Sequence, residues 1–76
     1  MDAGSVVDAI NVCVSGSFPD CTATTEPVGW RRDDVFAWRV KARCHDGMVA
    51  FEATSTGRDS GEALTSLARV FGVRCR

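Results

Sequence analysis

A chain of 76 residues with nine basic and ten acidic side chains has room for one small domain and carries no surplus of positive charge. A single core of that size leaves little space for the deep pocket that most enzymes use, so we expect a non-enzymatic protein. The formal net charge of -1 argues against general nucleic-acid binding, which depends on an excess of unopposed cations. The sequence therefore predicts one domain over residues 1–76.

The first predicted element begins near Ser5, which precedes Asp8 by three residues in the pattern of a helix N-cap. Gly16 and Pro19 mark its end. β-Branched residues between positions 10 and 14 also suit a strand, so both alternatives stay open, with the helix preferred. At helical spacing, one apolar face contains Val6, Ile10, Cys13 and Val14.

A threonine-rich run over residues 21–26 predicts an edge strand, because it has strand propensity but little apolar alternation. Pro27 and Gly29 then predict a loop that continues through Asp34. Tryptophan and arginine are strongly enriched in interface hot spots. This loop is therefore the best candidate surface for binding a partner, through Trp30, Arg31 and Arg32.

A β-hairpin is predicted from residues 35–44 and 48–55, joined by a two-residue turn at Asp46-Gly47. The register that this turn sets gives one apolar face, on which Cys44 pairs with Val49, Ala42 with Phe51, and Val40 with Ala53. Trp38 alternates in phase with Val40, which predicts that it packs in the core.

The opposite face of this hairpin is polar and net basic. On it Arg43 pairs with Ala50, Lys41 with Glu52, and Arg39 with Thr54. We expect Arg39, Lys41 and Arg43 to form a basic stripe that binds an acidic partner or a phosphate backbone. The unpaired edge of the third strand also offers a place for β-augmentation or homodimer formation.

A last helix follows Gly57. Asp59 is predicted as its N-cap, with Glu62 completing a capping box. Its apolar face contains Ala63, Leu64, Leu67, Val70 and Phe71. The element order predicts a two-layer α+β fold, in which a three-stranded antiparallel sheet carries both helices on one face (αβββα).

The chain has no apolar run long enough to span a membrane and no basic, then apolar leader, which predicts a cytoplasmic protein without a membrane partner. In that compartment the cysteines are expected to be thiols, with disulfides kept open as the alternative for a secreted segment. They lack the Cys-x-x-Cys spacing of a zinc site, so no metal or cofactor is predicted, and zinc binding is kept as an alternative. The four cysteines are Cys13, Cys21, Cys44 and Cys75.

Over residues 5–71 the order of elements resembles the double-stranded-RNA-binding domain. That family contacts RNA through its first helix, a Gly-Pro-x-His loop and a lysine cluster that opens the second helix. Here the loop reads Glu26-Pro27-Val28-Gly29-Trp30, and the helix opening reads Gly57-Arg58-Asp59-Ser60-Gly61-Glu62, without the lysines. The resemblance implies RNA contacts by the arginines at this opening and near the C-terminus, which are Arg58, Arg69, Arg74 and Arg76.

The hairpin and last helix also resemble small phage anti-defence proteins, including one type I anti-CRISPR family, in their strand-turn-strand, Gly, Ser/Asp, Gly and helix order. Proteins of that kind block a larger nucleic-acid machine by docking on it. The leading hypothesis is therefore an interaction module that docks on a protein or nucleoprotein complex. It would act as a phage or mobile-element inhibitor of a host machine such as a CRISPR effector. The alternatives are a double-stranded-RNA-binding domain and a zinc-binding domain.

Overall fold

The structure is a computed structural model that describes the backbone of residues 3–72 and the side chains of residues 3–70. In chain order its elements are α1 (Ala3–Ser17), β1 (Cys21–Arg31), β2 (Asp34–Cys44), β3 (Val49–Thr56) and α2 (Ser60–Gly72). The strands form one antiparallel sheet in the order β1-β2-β3, so β1 and β3 are its two edges. The predicted α+β class is confirmed, and the layout is compatible with a double-stranded-RNA-binding fold. Neither described helix is long and apolar enough to cross a bilayer.

The hydrophobic core lies between the two helices and one face of the sheet. Trp38 packs against it, as its phase along β2 predicts, and its indole N–H donates to Ser60 Oγ at 3.1 Å. The core cluster draws on α1, β2 and α2 and consists of Ile10, Val14, Val40, Ala42, Leu64 and Leu67. All six lie on the apolar faces that the spacing predicted, so those periodicities are confirmed.

The first segment is a helix rather than a strand, but it does not begin at Ser5. Helix α1 already includes Ala3, so the predicted N-cap at Ser5 is wrong. Alanine has the highest helix propensity, which is consistent with a helical residue at position 3. The helix ends at Ser17, close to the predicted stop at Pro19. Val6 and Cys13 pack against the core as predicted.

Asp59 caps helix α2. Its Oδ1 accepts the N–H of Glu62 at 2.9 Å, and its backbone oxygen accepts the N–H of Ala63 at 3.0 Å. The predicted N-cap is confirmed, while the return bond of the box goes from the Arg58 N–H to Glu62 Oε1 at 3.3 Å. Gly57 is required here, because a Cβ at this position would lie 2.5 Å from the Ala63 nitrogen.

Val70 departs from the predicted core. It lies on the same side of α2 as Ala63 and Leu67 by helical spacing, yet it is 56% exposed. The prediction that Val70 packs in the core is therefore wrong. The side chain of Phe71, the other predicted core residue of this turn, lies outside the described side chains.

The turn between β2 and β3 is one residue longer than predicted. The Gly47 N–H donates to the Cys44 oxygen and the Cys44 N–H donates to the Met48 oxygen, both at 2.9 Å. Gly47 has φ 82°, and the Asp46 carboxylate accepts the Met48 N–H at 3.0 Å. These contacts define a three-residue loop with a left-handed glycine, a common alternative to the two-residue hairpin turn.

The longer turn shifts the pairing next to it, so the predicted pairs of Cys44 with Val49 and Arg43 with Ala50 are wrong. Arg43 pairs with Val49, and a bulge at Ala50 restores the predicted register. From there on the predicted pairs are confirmed: Ala42 with Phe51, Lys41 with Glu52, Val40 with Ala53 and Arg39 with Thr54.

Strand β1 is longer than predicted and includes most of the expected loop. It continues through Pro27 and Gly29 to Arg31, so that only Arg32 and Asp33 separate it from β2. Proline is tolerated because β1 is an edge strand, and register shifts on both sides of Gly29 accommodate the irregular pairing. A Cβ on Gly29 would lie 2.9 Å from the Cβ of Ala37, so the two strands approach too closely there for a side chain.

The expectation of free thiols is wrong. Cys21 and Cys44 lie directly opposite each other on β1 and β2 and are joined by a disulfide. The Cys21 N–H donates to Phe18 and the Cys44 N–H to Met48, which leaves the two cysteines as a non-hydrogen-bonded pair with close side chains. Cys13 is disulfide-bonded as well, and Cys75 lies outside the described residues.

Candidate interaction surface

One face of the sheet is turned away from the core and carries polar side chains at alternate positions. We call this the outer face. Val40 and Ala42 point into the core, which places Arg39, Lys41 and Arg43 on the outer face of β2. Through the strand pairing, the same face receives from its neighbours Thr22, Thr24, Glu26, Glu52 and Thr54.

The basic stripe predicted on this face is largely neutralised by glutamates of both neighbouring strands. Arg39 binds Glu26 at 2.7 Å and lies 3.9 Å from Glu52. Lys41 also lies 3.9 Å from Glu52. Of the three stripe residues, Arg43 alone has no ion pair with another described residue. The centre of the outer face therefore carries ion-paired side chains and is not a basic surface that would attract an anionic partner.

The tip of the β1–β2 hairpin carries the other predicted contact residues. Trp30, next to the end of β1, is 57% exposed. The Arg31 guanidinium lies over the Phe36 ring, 4.9 Å from its centroid, a cation–π contact that orients this side chain. Arg32 occupies the turn with φ 58°, a left-handed conformation that residues with a Cβ rarely adopt. We call Trp30, Arg31 and Arg32 the hairpin tip.

The six predicted partner-binding residues do not form one surface. From Asp34 at the tip to Arg43 at the other end, β2 extends about 30 Å at roughly 3.3 Å per residue. The paired Arg39 and Lys41 lie between these ends. The structure thus separates the predicted set into an exposed tip, a neutralised centre and an isolated Arg43.

An open concavity of about 430 Å³ lies at the Arg43 end of the outer face. Its lining mixes both signs of charge with hydroxyls and consists of Asp20, Thr22, Thr24, Glu26, Lys41, Arg43, Cys44 and His45. Sequence reasoning missed this grouping, because it predicted a loop over residues 27–34 and so set no register of β1 against β2, the register that brings Thr22 beside Arg43. With cations and carboxylates interleaved, the lining favours no single ligand charge.

Among residues 3–70, whose side chains the structure describes, those of the two alternative hypotheses are not assembled into sites. Arg58 forms an ion pair with Glu62 at 3.1 Å. Arg69 lies eleven residues further along, about 16 Å away at 1.5 Å per helical residue. Arg74 and Arg76 lie outside the described residues.

Zinc binding by the cysteines is not supported, because zinc binds thiolates and Cys21 and Cys44 are instead bonded to each other. Within the described part of the chain, no group of three or more His, Cys, Asp or Glu side chains is arranged to hold a metal ion.

Comparison with protein-family models, with curated proteins and with solved structures found no match to this chain. The functional assignment must therefore come from the geometry of the molecule itself.

Proposed function

We propose that this chain is a non-enzymatic interaction module that binds a protein, alone or within a nucleoprotein complex, through the hairpin tip with Trp30 as the anchor. The observation that carries the proposal is the exposure of Trp30, whose large side chain is 57% accessible. Covering that part, about 140 Å² of a side chain of roughly 250 Å², stabilises a complex by about 3.5 kcal/mol at about 25 cal/mol per Å². An anchor of that size is typical of interface hot spots.

The charges around the anchor favour a protein partner over a phosphate backbone. Arg31 and Arg32 supply two guanidinium groups with no ion pair among the described residues. Asp33 in the turn and Asp34 at the start of β2 cancel their formal charge. Phosphate binding depends on unopposed cations, whereas a mixed set of charges gives orientation and specificity on a protein surface.

The narrower hypothesis of a CRISPR inhibitor requires a protein that acts in the cytoplasm. Disulfides persist mainly in oxidising compartments and are rare in the cytosol. The Cys21–Cys44 bond therefore favours a partner outside the reducing cytoplasm. We propose the docking activity without that target.

The proposal is tested by comparing captured partners for matched surface variants. Immobilised wild-type protein, Trp30→Ala and Val12→Ala are incubated with the same cell-surface and secreted protein fractions, and bound proteins are quantified by mass spectrometry. Val12 is a suitable control because it is an apolar side chain of α1 that is 72% exposed. A partner that binds wild type and Val12→Ala should bind Trp30→Ala about 300-fold more weakly, since about 3.5 kcal/mol at about 1.4 kcal/mol per tenfold change is about 2.5 decades.

Thermal melts of all three proteins show whether folding is preserved. If every captured protein binds Trp30→Ala as well as wild type, Trp30 is not the anchor and the proposal fails.

A further inference from the structure

The two edges of the sheet differ in how far they are protected against pairing with another strand. Proline, bulges or charged residues commonly prevent an edge strand from pairing with a strand of another chain. β1 has Pro27 and irregular register on both sides of Gly29. β3 pairs regularly with β2 from Phe51 to Thr56 and contains no proline. Its one charged residue, Glu52, already faces Arg39 and Lys41 at 3.9 Å. Within the described part of the chain, the stretch of β3 from Glu52 to Thr56 is therefore an edge without these protective features.

The hydrogen bonding of β3 identifies which backbone groups point outward. The Gly57 N–H donates to the Phe36 oxygen at 2.9 Å, so Gly57 faces β2. Because backbone groups alternate in direction along an antiparallel strand, Ser55 and Ala53 face β2 as well. The N–H and C=O groups of the intervening residues point away from the sheet. These residues are Glu52, Thr54 and Thr56, and all three are exposed.

We infer that β3 pairs antiparallel with β3 of a second copy of this chain, with Thr54 opposite its own counterpart on the two-fold axis. In that register Glu52 of each copy faces Thr56 of the other, so all three outward-facing residues on each strand are paired. The two three-stranded sheets then form one sheet of six strands. This inference is independent of the proposed function, because the edge of β3 and the hairpin tip are different surfaces.

Charge favours this register over the one centred on Glu52. Centring the pair on Glu52 would place two carboxylates directly opposite each other, which is destabilising, and would run into the bulge at Ala50. Centring it on Thr54 places the two Glu52 side chains four residues apart along the strands, about 14 Å and beyond the Debye length at physiological salt. On the core side Ala53 faces Ser55 of the other copy, and both side chains are small.

The two-fold axis at Thr54 gives a direct test. Sedimentation velocity over a wide concentration range should show wild type shifting from one to two chains. Thr54→Lys and Thr54→Glu each place like charges opposite each other, so each alone should be monomeric where wild type is dimeric. An equimolar mixture of the two should recover a dimer, because lysine then faces glutamate. Thr54→Pro, which removes the central outward N–H, should also be monomeric.

Thr22 supplies the matched control, since it is an exposed threonine on the outer face of the other edge strand. Thr22→Lys and Thr22→Glu should each remain dimeric. The inference is overturned if wild type stays monomeric throughout, or if either charged Thr54 variant dimerises like wild type. It is equally overturned if the mixture of Thr54 variants dimerises no better than its components, because residue 54 then does not face itself.

Discussion

The Cys21–Cys44 disulfide should contribute a large share of the stability of this small domain. It closes a loop with a sequence separation of 23 residues. The chain-entropy relation, with about 2.1 cal/mol/K plus 1.5R times the logarithm of the loop length, gives about 3 kcal/mol at 25 °C. A domain of this length has a free energy of unfolding of about 4 to 11 kcal/mol, at roughly 0.05 to 0.15 kcal/mol per residue. Removing the bond is therefore expected to cost about a quarter or more of the total free energy of unfolding.

The assay is urea denaturation of wild type and of the double variant Cys21→Ala/Cys44→Ala, which leaves the disulfide of Cys13 in place. The control is Thr22→Ala/Arg43→Ala, the adjacent cross-strand pair on the same two strands, which has no covalent link. We expect the free energy of unfolding to fall by about 3 kcal/mol for the cysteine variant and by less than about 0.5 kcal/mol for the control. A loss below about 1 kcal/mol in the cysteine variant would refute the loop-closure reasoning.

Two backbone positions give further predictions. Gly57→Ala should lower the free energy of unfolding by about 1 to 3 kcal/mol, because the new Cβ would lie 2.5 Å from the Ala63 nitrogen. Gly16→Ala in α1 is the control: its Cβ would meet nothing within 4 Å, so this substitution should be neutral or stabilising. Arg32→Gly should hold or raise stability by up to about 1 kcal/mol, since glycine relieves a left-handed residue, while Arg32→Val should lower it. Urea denaturation measures both, and a Gly57→Ala protein as stable as wild type, or an Arg32→Val protein more stable than Arg32→Gly, would contradict the geometry.

Local signals in the sequence were sufficient for most of the fold. The N-cap at Asp59 depends on residues within one helical turn, and the burial of Ile10 and Leu67 follows from periodicity within each helix. The hairpin register was predicted correctly from the Ala42–Phe51 pair to the Arg39–Thr54 pair, because alternation on two adjacent strands fixes which residues face each other. Near the turn the same reasoning failed, since a longer loop and a bulge at Ala50 compensate each other.

The features that the sequence did not reveal are non-local. Glu26 neutralises Arg39 only because β1 pairs with β2 in one particular register, which the loop predicted over residues 27–34 left undefined. The same register brings Cys21 opposite Cys44, a pairing that cysteine spacing alone cannot identify. Pro27 indicated a loop because proline disfavours central strands, but β1 is an edge strand and accommodates it.

The arrangement of these features separates stability from recognition. The Cys21–Cys44 bond joins β1 and β2 at the end of the hairpin opposite Trp30, about 30 Å away along the strands. Between them, paired charges such as Arg39 with Glu26 occupy the outer face without creating a net attractive field. Perturbations so far apart with no shared partners act independently. A loss of partner binding in Trp30→Ala therefore reports on the contact at the hairpin tip, because the disulfide that stabilises the hairpin is too distant for that substitution to affect it.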